Sequence, residues 1–255
     1  MTRASQRMRL SWFRLPKAGA DWAEYEDAIG INRAALRFAV ADGATESFAS
    51  AAWARLLVHN WVAEPEGISP ERFQAMVSRL GADLHEEWSR TELAWYAEEK
   101  AKRGSHAAFA GLQLAEFGDL LMWTAIALGD ACLMVRNRGK LLESFPLSSP
   151  ELFGTRPIMV PSLASNQPDA LSHLAIKMGT ARPGDIFLLM TDAAAAWYLV
   201  QSEMAGSVLA EFDSLLANRR HDALTRLLEA ERTARRLRND DVAILRIAFD
   251  EAGSM

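Results

Sequence analysis

Residues 184–192 read GDIFLLMTD, a turn followed by an uninterrupted apolar run that ends on a carboxylate. An apolar run of this length between turn residues is typical of a buried strand. Such a strand would deliver Asp192 at the rim of a sheet. The same arrangement, a carboxylate at one end of an apolar run, recurs in YEDAIG (25–30), FAVADG (38–43) and NDDVAILRI (239–247).

Four acidic motifs at strand ends predict one shared site. A single carboxylate at a strand end is ordinary, but four in one chain are expected to meet at one end of the fold. Mg²⁺ and Mn²⁺ prefer carboxylate, carbonyl and water oxygens as ligands. The motifs therefore favour a site for a hard divalent cation.

The composition excludes several classes of function. The chain has 255 residues, which suits one domain over 1–255, and its net charge of −5 lacks the basic excess of a nucleic-acid binder. Cys132 is the only cysteine, so it cannot form an intrachain disulfide and is expected to pack as a small hydrophobe. No apolar run approaches the ~20 residues of a membrane span, and no signal peptide is recognised. A cytoplasmic protein with no membrane partner is expected.

The period of the hydrophobic residues predicts the elements and the fold class. Strands are expected at 8–15, 27–31, 36–41, 106–117, 120–128, 131–136, 140–145, 173–179, 185–191 and 242–249. Helices are expected near 48–59, from Pro70 to about Lys102 with a break at Gly81, and at 193–203, 207–217 and 221–237. Strands open and close the chain and helices enter as pairs, which indicates an α+β domain built on antiparallel sheets.

Three local patterns carry further interpretations. The four strands between 106 and 145 are expected to form an antiparallel meander. Asp42, Thr45 or Ser47 is expected to cap the first helix. The basic run 231–238 is interpreted as the solvated end of a helix, where cations offset the helix dipole.

The order and spacing of the motifs resemble the metal-dependent type 2C protein phosphatases, in a divergent form similar to bacterial members. The matching pieces are YEDA (25–28), ADG (41–43), GS (104–105), LGDA (128–131), GDIFLLMTD (184–192) and DDVAIL (240–245). They follow the family's order and span residues 24–248. The resemblance implies a four-layer α-β-β-α sandwich, in which two mainly antiparallel sheets are flanked by helix pairs.

The resemblance also implies a chemistry. In the family, two Mn²⁺ or Mg²⁺ ions at one end of the sandwich activate a water that hydrolyses phosphoserine, phosphothreonine or a related phosphomonoester. Paired cations lower the pKa of bound water and neutralise the phosphoryl oxygens, so no protein nucleophile is required. The residues that match the ion contacts are Asp42 as the bridging ligand, Gly43 through its carbonyl, Asp192, Asp240, and Glu26 and Asp27 at the second ion, partly through water.

The chain departs from the family pattern beside Asp192. Ala193 stands where the family has glycine, and Ala196 stands where an acid would bind a third ion, so a third ion is not expected. Asp130 resembles another contributor to that third site. A Gly-Asp pair after an apolar run is equally typical of a plain hairpin turn, and both interpretations stay open.

The phosphate-binding residues depart from the family as well. Trp22 stands where the family has a phosphate-binding arginine, and Ala44 stands where it has a histidine. Lys17 or Arg14 is expected to reach the phosphate instead, with Lys17 acting as a point charge rather than a bidentate fork. His106 is a candidate for a position near the site.

Two alternatives to an active hydrolase stay open. The first is a catalytically weak phosphatase-like module that binds and regulates a phosphoprotein or a kinase partner. The second is an unrelated α+β domain whose acids coincide in sequence only, and such a domain would gain no stability from divalent ions. Nucleotide-fold and α/β-hydrolase functions lack support, because the chain has no GxxxxGK[ST] and no GxSxG motif.

Overall fold

The computed structural model describes residues 8–65, 67–90, 95–118, 120–154, 156–204 and 208–249. Its strands are β1 (Met8–Leu15), β2 (Ala28–Asn32), β3 (Arg37–Gly43), β4 (His106–Phe117), β5 (Leu120–Leu128), β6 (Cys132–Asn137), β7 (Lys140–Phe145), β8 (Val160–Pro161), β9 (Ala175–Ala181), β10 (Asp185–Met190) and β11 (Val242–Phe249). Its helices are α1 (Ser50–Ala63), α2 (Pro70–Ser89), α3 (Trp95–Ala101), α4 (Gln167–Leu171), α5 (Asp192–Glu203), α6 (Val208–Ala217) and α7 (His221–Thr233).

The strands form two antiparallel sheets. The first sheet has the order β1-β11-β10-β6-β7, so the first and last strands of the chain are neighbours. The second sheet has the order β2-β3-β4-β5-β9, with the short β8 paired to β4. Each predicted strand has a counterpart in the structure, and most of the predicted bounds agree with the observed ones within two residues.

Three apolar clusters hold four layers together. One cluster, which includes Trp53 and Trp61, packs α1 and α2 against the second sheet. Another, which includes Phe38 and Phe187, fills the space between the two sheets. A third, which includes Trp197, packs α5, α6 and α7 against the first sheet. The predicted α-β-β-α sandwich is therefore confirmed, with three helices rather than two on its second outer face.

The predicted meander between 106 and 145 is wrong. Strands β4 and β5 pair in the second sheet, but β6 and β7 belong to the first sheet. The chain crosses between the sheets at Gly129-Asp130-Ala131, where Gly129 has a φ of 97°. A hairpin would keep both strands in one sheet, so Asp130 does not lie in a hairpin turn. The apolar period is the same for both topologies, which is why the sequence could not separate them.

The predicted caps of the first helix are also wrong. Strand β3 continues through Asp42, and α1 begins after Ala49, which has a φ of 49° and provides no side-chain cap. The Thr45 hydroxyl donates to Glu26 instead, and the Ser47 hydroxyl donates to the Ala44 carbonyl oxygen at 2.9 Å. These hydroxyls are therefore engaged in the loop that joins β3 to α1.

Two helix boundaries differ from the prediction. Gly81 lies inside α2 and does not break it; a Cβ there would lie 2.1 Å from the Ser162 carbonyl oxygen, so glycine permits close packing against that loop. Helix α7 ends at Thr233, and residues 234–238 leave the helix and return toward the sheets. The predicted helical residues 91–94 lie outside the described residues. In the part of the chain that the structure describes, no helix combines the length and apolarity that crossing a membrane requires.

Candidate metal centre

The sheet register gathers four aspartates in one cleft. Strands β10 and β11 are antiparallel, with Met190 opposite Ile244, so the end of β10 and the start of β11 lie at the same end of the sheet. The crossing between β5 and β6 and the end of β3 reach this end as well. This cleft, here called the acidic cleft, has a volume of about 610 Å³. Among the described residues that line it are Glu46 and four aspartates, Asp42, Asp130, Asp192 and Asp240.

Asp27 lies behind Asp42. It directly precedes β2, in which Ala28 pairs with Ala41 of β3, so the register brings the two aspartates side by side. Asp27 is buried, and its Oδ2 accepts a hydrogen bond from the Thr191 hydroxyl at 2.8 Å. Its Oδ1 has no hydrogen-bond partner among the described residues. A buried carboxylate oxygen without a partner is costly, so this atom is a candidate for a cation contact.

The carboxylates crowd one another in a region of low solvent access. Burial raises the pKa of Asp42 well above its usual range, and the charges of Asp27 and Asp192 raise it further. Burial raises the pKa of Asp130 to about 7, with a further contribution from Asp192, and Asp130 Oδ1 is also buried without a partner in the described structure. Burial raises the pKa of Asp192, against the lowering effect of Arg238. Full ionisation of the cluster would therefore need more positive charge than its protein neighbours provide.

The donor chemistry of the cluster fits a hard divalent cation. All side-chain donors are carboxylate oxygens, and two of them, on Asp27 and Asp130, are buried without a hydrogen-bond partner in the described structure. Such oxygens suit Mg²⁺ or Mn²⁺. Nevertheless, no three acidic, histidine or cysteine side chains of the described residues already converge as an ion-binding group. Some of the carboxylates are instead turned toward donors of the protein.

Glu26 is the clearest example of a carboxylate held by the protein. Its two oxygens accept hydrogen bonds from the hydroxyls of Thr45 and Ser50. The Lys17 Nζ lies 3.6 Å from Glu26 Oε2. Glu26 is not among the described residues that line the acidic cleft. Its contacts hold it beside the loop that joins β3 to α1.

Gly43 occupies a position that admits no side chain. A Cβ on Gly43 would lie 2.8 Å from the backbone carbonyl of Ser50 and 3.0 Å from the carbonyl oxygen of Glu26. The glycine therefore lets the end of β3 lie against both the start of α1 and the segment that carries Glu26. This close approach places the Gly43 backbone on the wall of the acidic cleft.

We expect Gly43→Ala to lower the free energy of unfolding by about 1–3 kcal/mol, because the added methyl group overpacks a contact made by backbone atoms on both sides. Urea denaturation measures this loss. Gly67 is the matched control, because a Cβ there would meet open space and the residue has no positive φ. Gly118 is also open, but its φ of 61° would strain an alanine. Gly67→Ala should leave stability within about 0.5 kcal/mol of wild type, and an equal effect of the two substitutions would contradict the packing argument.

Asp241 makes structural hydrogen bonds, unlike its neighbour Asp240, which lines the acidic cleft. The Asp241 carboxylate is buried and accepts hydrogen bonds from the backbone amides of Lys17 and Glu26, both at 2.8 Å. The Tyr25 hydroxyl donates to the Val242 carbonyl oxygen at 3.0 Å in the same region. Asp241 therefore ties the segment between β1 and β2 to the start of β11, and only Asp240 of the pair lines the acidic cleft.

Asp241→Asn should lower the free energy of unfolding by about 1–3 kcal/mol, since an amide side chain can offer an acceptor to only one of the two backbone amides. Thermal or urea unfolding in EDTA measures the loss without interference from metal binding. Asp21→Asn, at an exposed aspartate of the same segment, is the control. A variant at Asp241 as stable as this control would show that the two hydrogen bonds do not hold the segment.

The cations proposed from sequence lie at the edge of the site rather than on its wall. Lys17 contacts Glu26, and Arg14 lies over the rings of Trp22 and Tyr25, with the guanidinium carbon 5.4 and 5.7 Å from the ring centroids. Neither is among the described residues that line the acidic cleft. Trp22 is exposed.

Arg238 is the functional candidate that sequence reasoning missed. Its Nη2 donates to Asp192 Oδ2 at 2.7 Å, and its side chain lines the acidic cleft. The interpretation of 231–238 as a solvated helix end holds only in part. A helix ends at Thr233 and residues 233–236 are exposed, but Glu231 is buried against Trp197 and Arg238 reaches the site. The available signal was the position of this basic run directly before the Asp240 motif.

His106 and the core residues agree with the expectations. His106 lines the acidic cleft, and burial lowers the pKa of its imidazole, so the ring is neutral at neutral pH. Cys132 is fully buried, and burial raises the pKa of its thiol to about 12. Trp53, Trp61 and Trp123 are buried in the core.

Comparisons with known proteins add independent support for the fold. No protein-family model and no curated protein sequence matches the chain. Among solved structures, PppA, a key regulatory component of T6SS in Pseudomonas aeruginosa, is 19% identical with a TM-score of 0.59, over 95% of this chain and 98% of that one. The catalytic domain of the serine threonine protein phosphatase PstP, in complex with two manganese ions, is 17% identical with a TM-score of 0.57, over 96% and 99%.

A third solved structure, a bacterial serine phosphatase, is 14% identical with a TM-score of 0.62, over 96% of this chain and 98% of that one. All three alignments extend over nearly the whole of both chains, so the match includes both sheets and both outer helical layers. Together with the ordered motifs and the sandwich described above, these matches confirm the resemblance: the chain has the fold of the type 2C serine/threonine phosphatases.

Proposed function

We propose that this protein is a metal-dependent phosphomonoester hydrolase that acts on phosphoserine or phosphothreonine in proteins. The observation that carries the proposal is the crowding of five aspartates at one end of this fold, with buried carboxylate oxygens on Asp27 and Asp130 that lack a partner among the described residues. Positive charge is the simplest complement to such a cluster, and the all-oxygen donor set suits Mn²⁺ or Mg²⁺.

The proposed ligands follow from their places in the fold. Asp42, Asp192 and Asp240 would hold two divalent ions directly, Gly43 would contribute its carbonyl oxygen, and Glu26 and Asp27 would contact the second ion directly or through water. The bound ions would supply a water of lowered pKa and positive charge for the phosphoryl oxygens. The residues of this chain keep the carboxylates in place through the Asp241 and Glu26 hydrogen bonds described above.

The proposal extends to the remaining polar groups around the cleft. Lys17 stays a proposed phosphate contact through its positive charge beside Glu26. His106 is neutral at neutral pH and can exchange a proton with solvent or substrate at the cleft wall. A third ion at Asp130 is not part of the proposal, because Ala196 offers no second carboxylate there.

Hydrolysis of an aryl phosphate and of a phosphothreonine peptide, each in EDTA, Mg²⁺ and Mn²⁺, tests the proposed function. The expected result is turnover of both substrates that requires a divalent ion and stops in EDTA. Turnover of the aryl phosphate alone would restrict the function to small phosphomonoesters. Absence of turnover with either ion in folded protein would contradict the proposal.

A second candidate function is a regulatory phosphatase-like module that binds a phosphoprotein or a kinase. Two observations favour it: both oxygens of Glu26 are taken by hydroxyls, and Asp192 is already paired with Arg238. The similarly folded PppA is itself described as a regulatory component. Such a module would bind phosphopeptide without hydrolysing it, so peptide binding in the absence of phosphate release distinguishes the two candidates.

A further inference from the structure

Among the described residues, three arginines line the acidic cleft: Arg103, Arg156 and Arg238. Of the three, Arg238 reaches the acids, through its hydrogen bond to Asp192 at 2.7 Å. Its charge also lowers the pKa of Asp130, against the effect of burial. The Arg238 side chain is 46% exposed, so part of the guanidinium still faces the open cleft.

Strand β1 and the segment that joins it to β2 do not supply a comparable cation to the described cleft wall. Arg14 is engaged with aromatic rings, and Lys17 lies beside Glu26. A phosphomonoester that entered the cleft would therefore meet Arg238 as the cation closest to the aspartates. Its planar fork can hold two phosphoryl oxygens at once, whereas an ammonium acts as a point charge.

We propose that Arg238, rather than Lys17, makes the main contact with the phosphoryl group in this cleft, an inference that rests on the proposed function. Without a substrate, Arg238 is held by Asp192. A divalent cation held by Asp192 would compensate the charge of this carboxylate, and the Arg238 guanidinium would then be available to a dianionic phosphoryl group.

Binding of inorganic phosphate to Mg²⁺-saturated protein, measured by calorimetry, tests this contact. Arg238→Gln should weaken phosphate binding about tenfold or more, the usual effect of losing a hydrogen bond between charged groups. Arg238→Lys should recover part of the loss, because it keeps the charge but not the fork. The KM for an aryl phosphate should rise in parallel. Arg235→Gln, at an exposed arginine of the same segment, should behave as wild type.

A purely positioning role of Arg238 gives the opposite pattern. If Arg238 only orients Asp192, Arg238→Gln weakens Mg²⁺ binding and leaves phosphate affinity at saturating Mg²⁺ unchanged. That outcome overturns the inference. The proposed contact instead predicts that Mg²⁺ binding is unchanged or tighter, because a competing cation beside Asp192 is removed.

The same experiments separate this inference from the proposed function. Wild-type turnover with unaltered phosphate affinity in Arg238→Gln overturns the role of Arg238 alone. A wild-type protein that binds no Mg²⁺ and hydrolyses no phosphomonoester overturns both. Phosphate binding by Lys17→Met serves as the parallel measurement for Lys17, and a larger loss there than in Arg238→Gln would assign the contact to Lys17.

Discussion

Asp42→Asn should abolish metal-dependent hydrolysis, with a loss in kcat/KM of at least about a hundredfold. Asparagine keeps the volume of the side chain at the end of β3 but removes the negative charge that a divalent cation requires. The free energy of unfolding in EDTA should not fall, because the substitution removes one charge from a cluster in which burial and Asp27 both raise the pKa of Asp42. Turnover and urea denaturation on the same preparations measure both effects.

A loss of turnover without a loss of stability would make the result specific to the metal centre. Asp169→Asn, at an exposed aspartate of α4 outside the acidic cleft, is the matched control and should keep wild-type turnover and stability. Loss of turnover through misfolding would lower the free energy of unfolding as well. An Asp42→Asn protein with wild-type turnover would contradict the assignment of Asp42 to the metal centre.

The metal-free protein should lose stability as the pH rises from about 4 to about 7. Burial and the charge of Asp192 raise the pKa of Asp130 to about 7, and burial raises the pKa of Asp27 and Asp42. In the unfolded chain aspartate titrates near 3.9, so within this window the folded state binds more protons. The resulting stabilisation is complete below about pH 4 and is lost as the pH rises through the folded-state pKa values.

Divalent ions should reverse this loss. At about one hundred times its Kd, each bound Mn²⁺ would raise the free energy of unfolding by about 2.7 kcal/mol at neutral pH. Urea denaturation across the window, in EDTA and then in Mn²⁺, measures the change. Asp130→Asn should make the metal-free profile less steep, because Asp27 and Asp42 still titrate, whereas Asp169→Asn should keep the wild-type slope. A metal-free stability that rises across the window, or that Mn²⁺ leaves unchanged, would contradict the account of the acidic cluster.

The elements of the fold were predictable because their apolar periods are unambiguous. Strands β1, β4, β10 and β11 begin and end within a residue of their predicted bounds. Membership of a sheet was not predictable for β6, because a crossing at Gly129 and a hairpin there have the same local pattern. Pairing depends on contacts between distant residues, such as those that join β1 to β11.

The aspartates of the site could be predicted from the sequence, but the hydrogen bonds that position its acidic residues could not. Asp42, Asp192 and Asp240 lie at strand ends, and antiparallel register brings such ends together without further information. The hydrogen-bond partners of Glu26 and Asp241 lie in segments distant in sequence, so a local sequence pattern does not predict them. In the sequence, Asp240 and Asp241 form one motif. In the structure, Asp240 lines the acidic cleft, whereas Asp241 is buried and accepts hydrogen bonds from backbone amides.

Calorimetric titration of the metal-free protein with Mn²⁺ tests most directly that the acidic cleft is a divalent-cation site. The account predicts saturable binding of two ions per chain, which weakens strongly in Asp42→Asn and is unaffected in Asp169→Asn. Absence of Mn²⁺ binding by folded wild-type protein, or equal binding by Asp42→Asn, would contradict it.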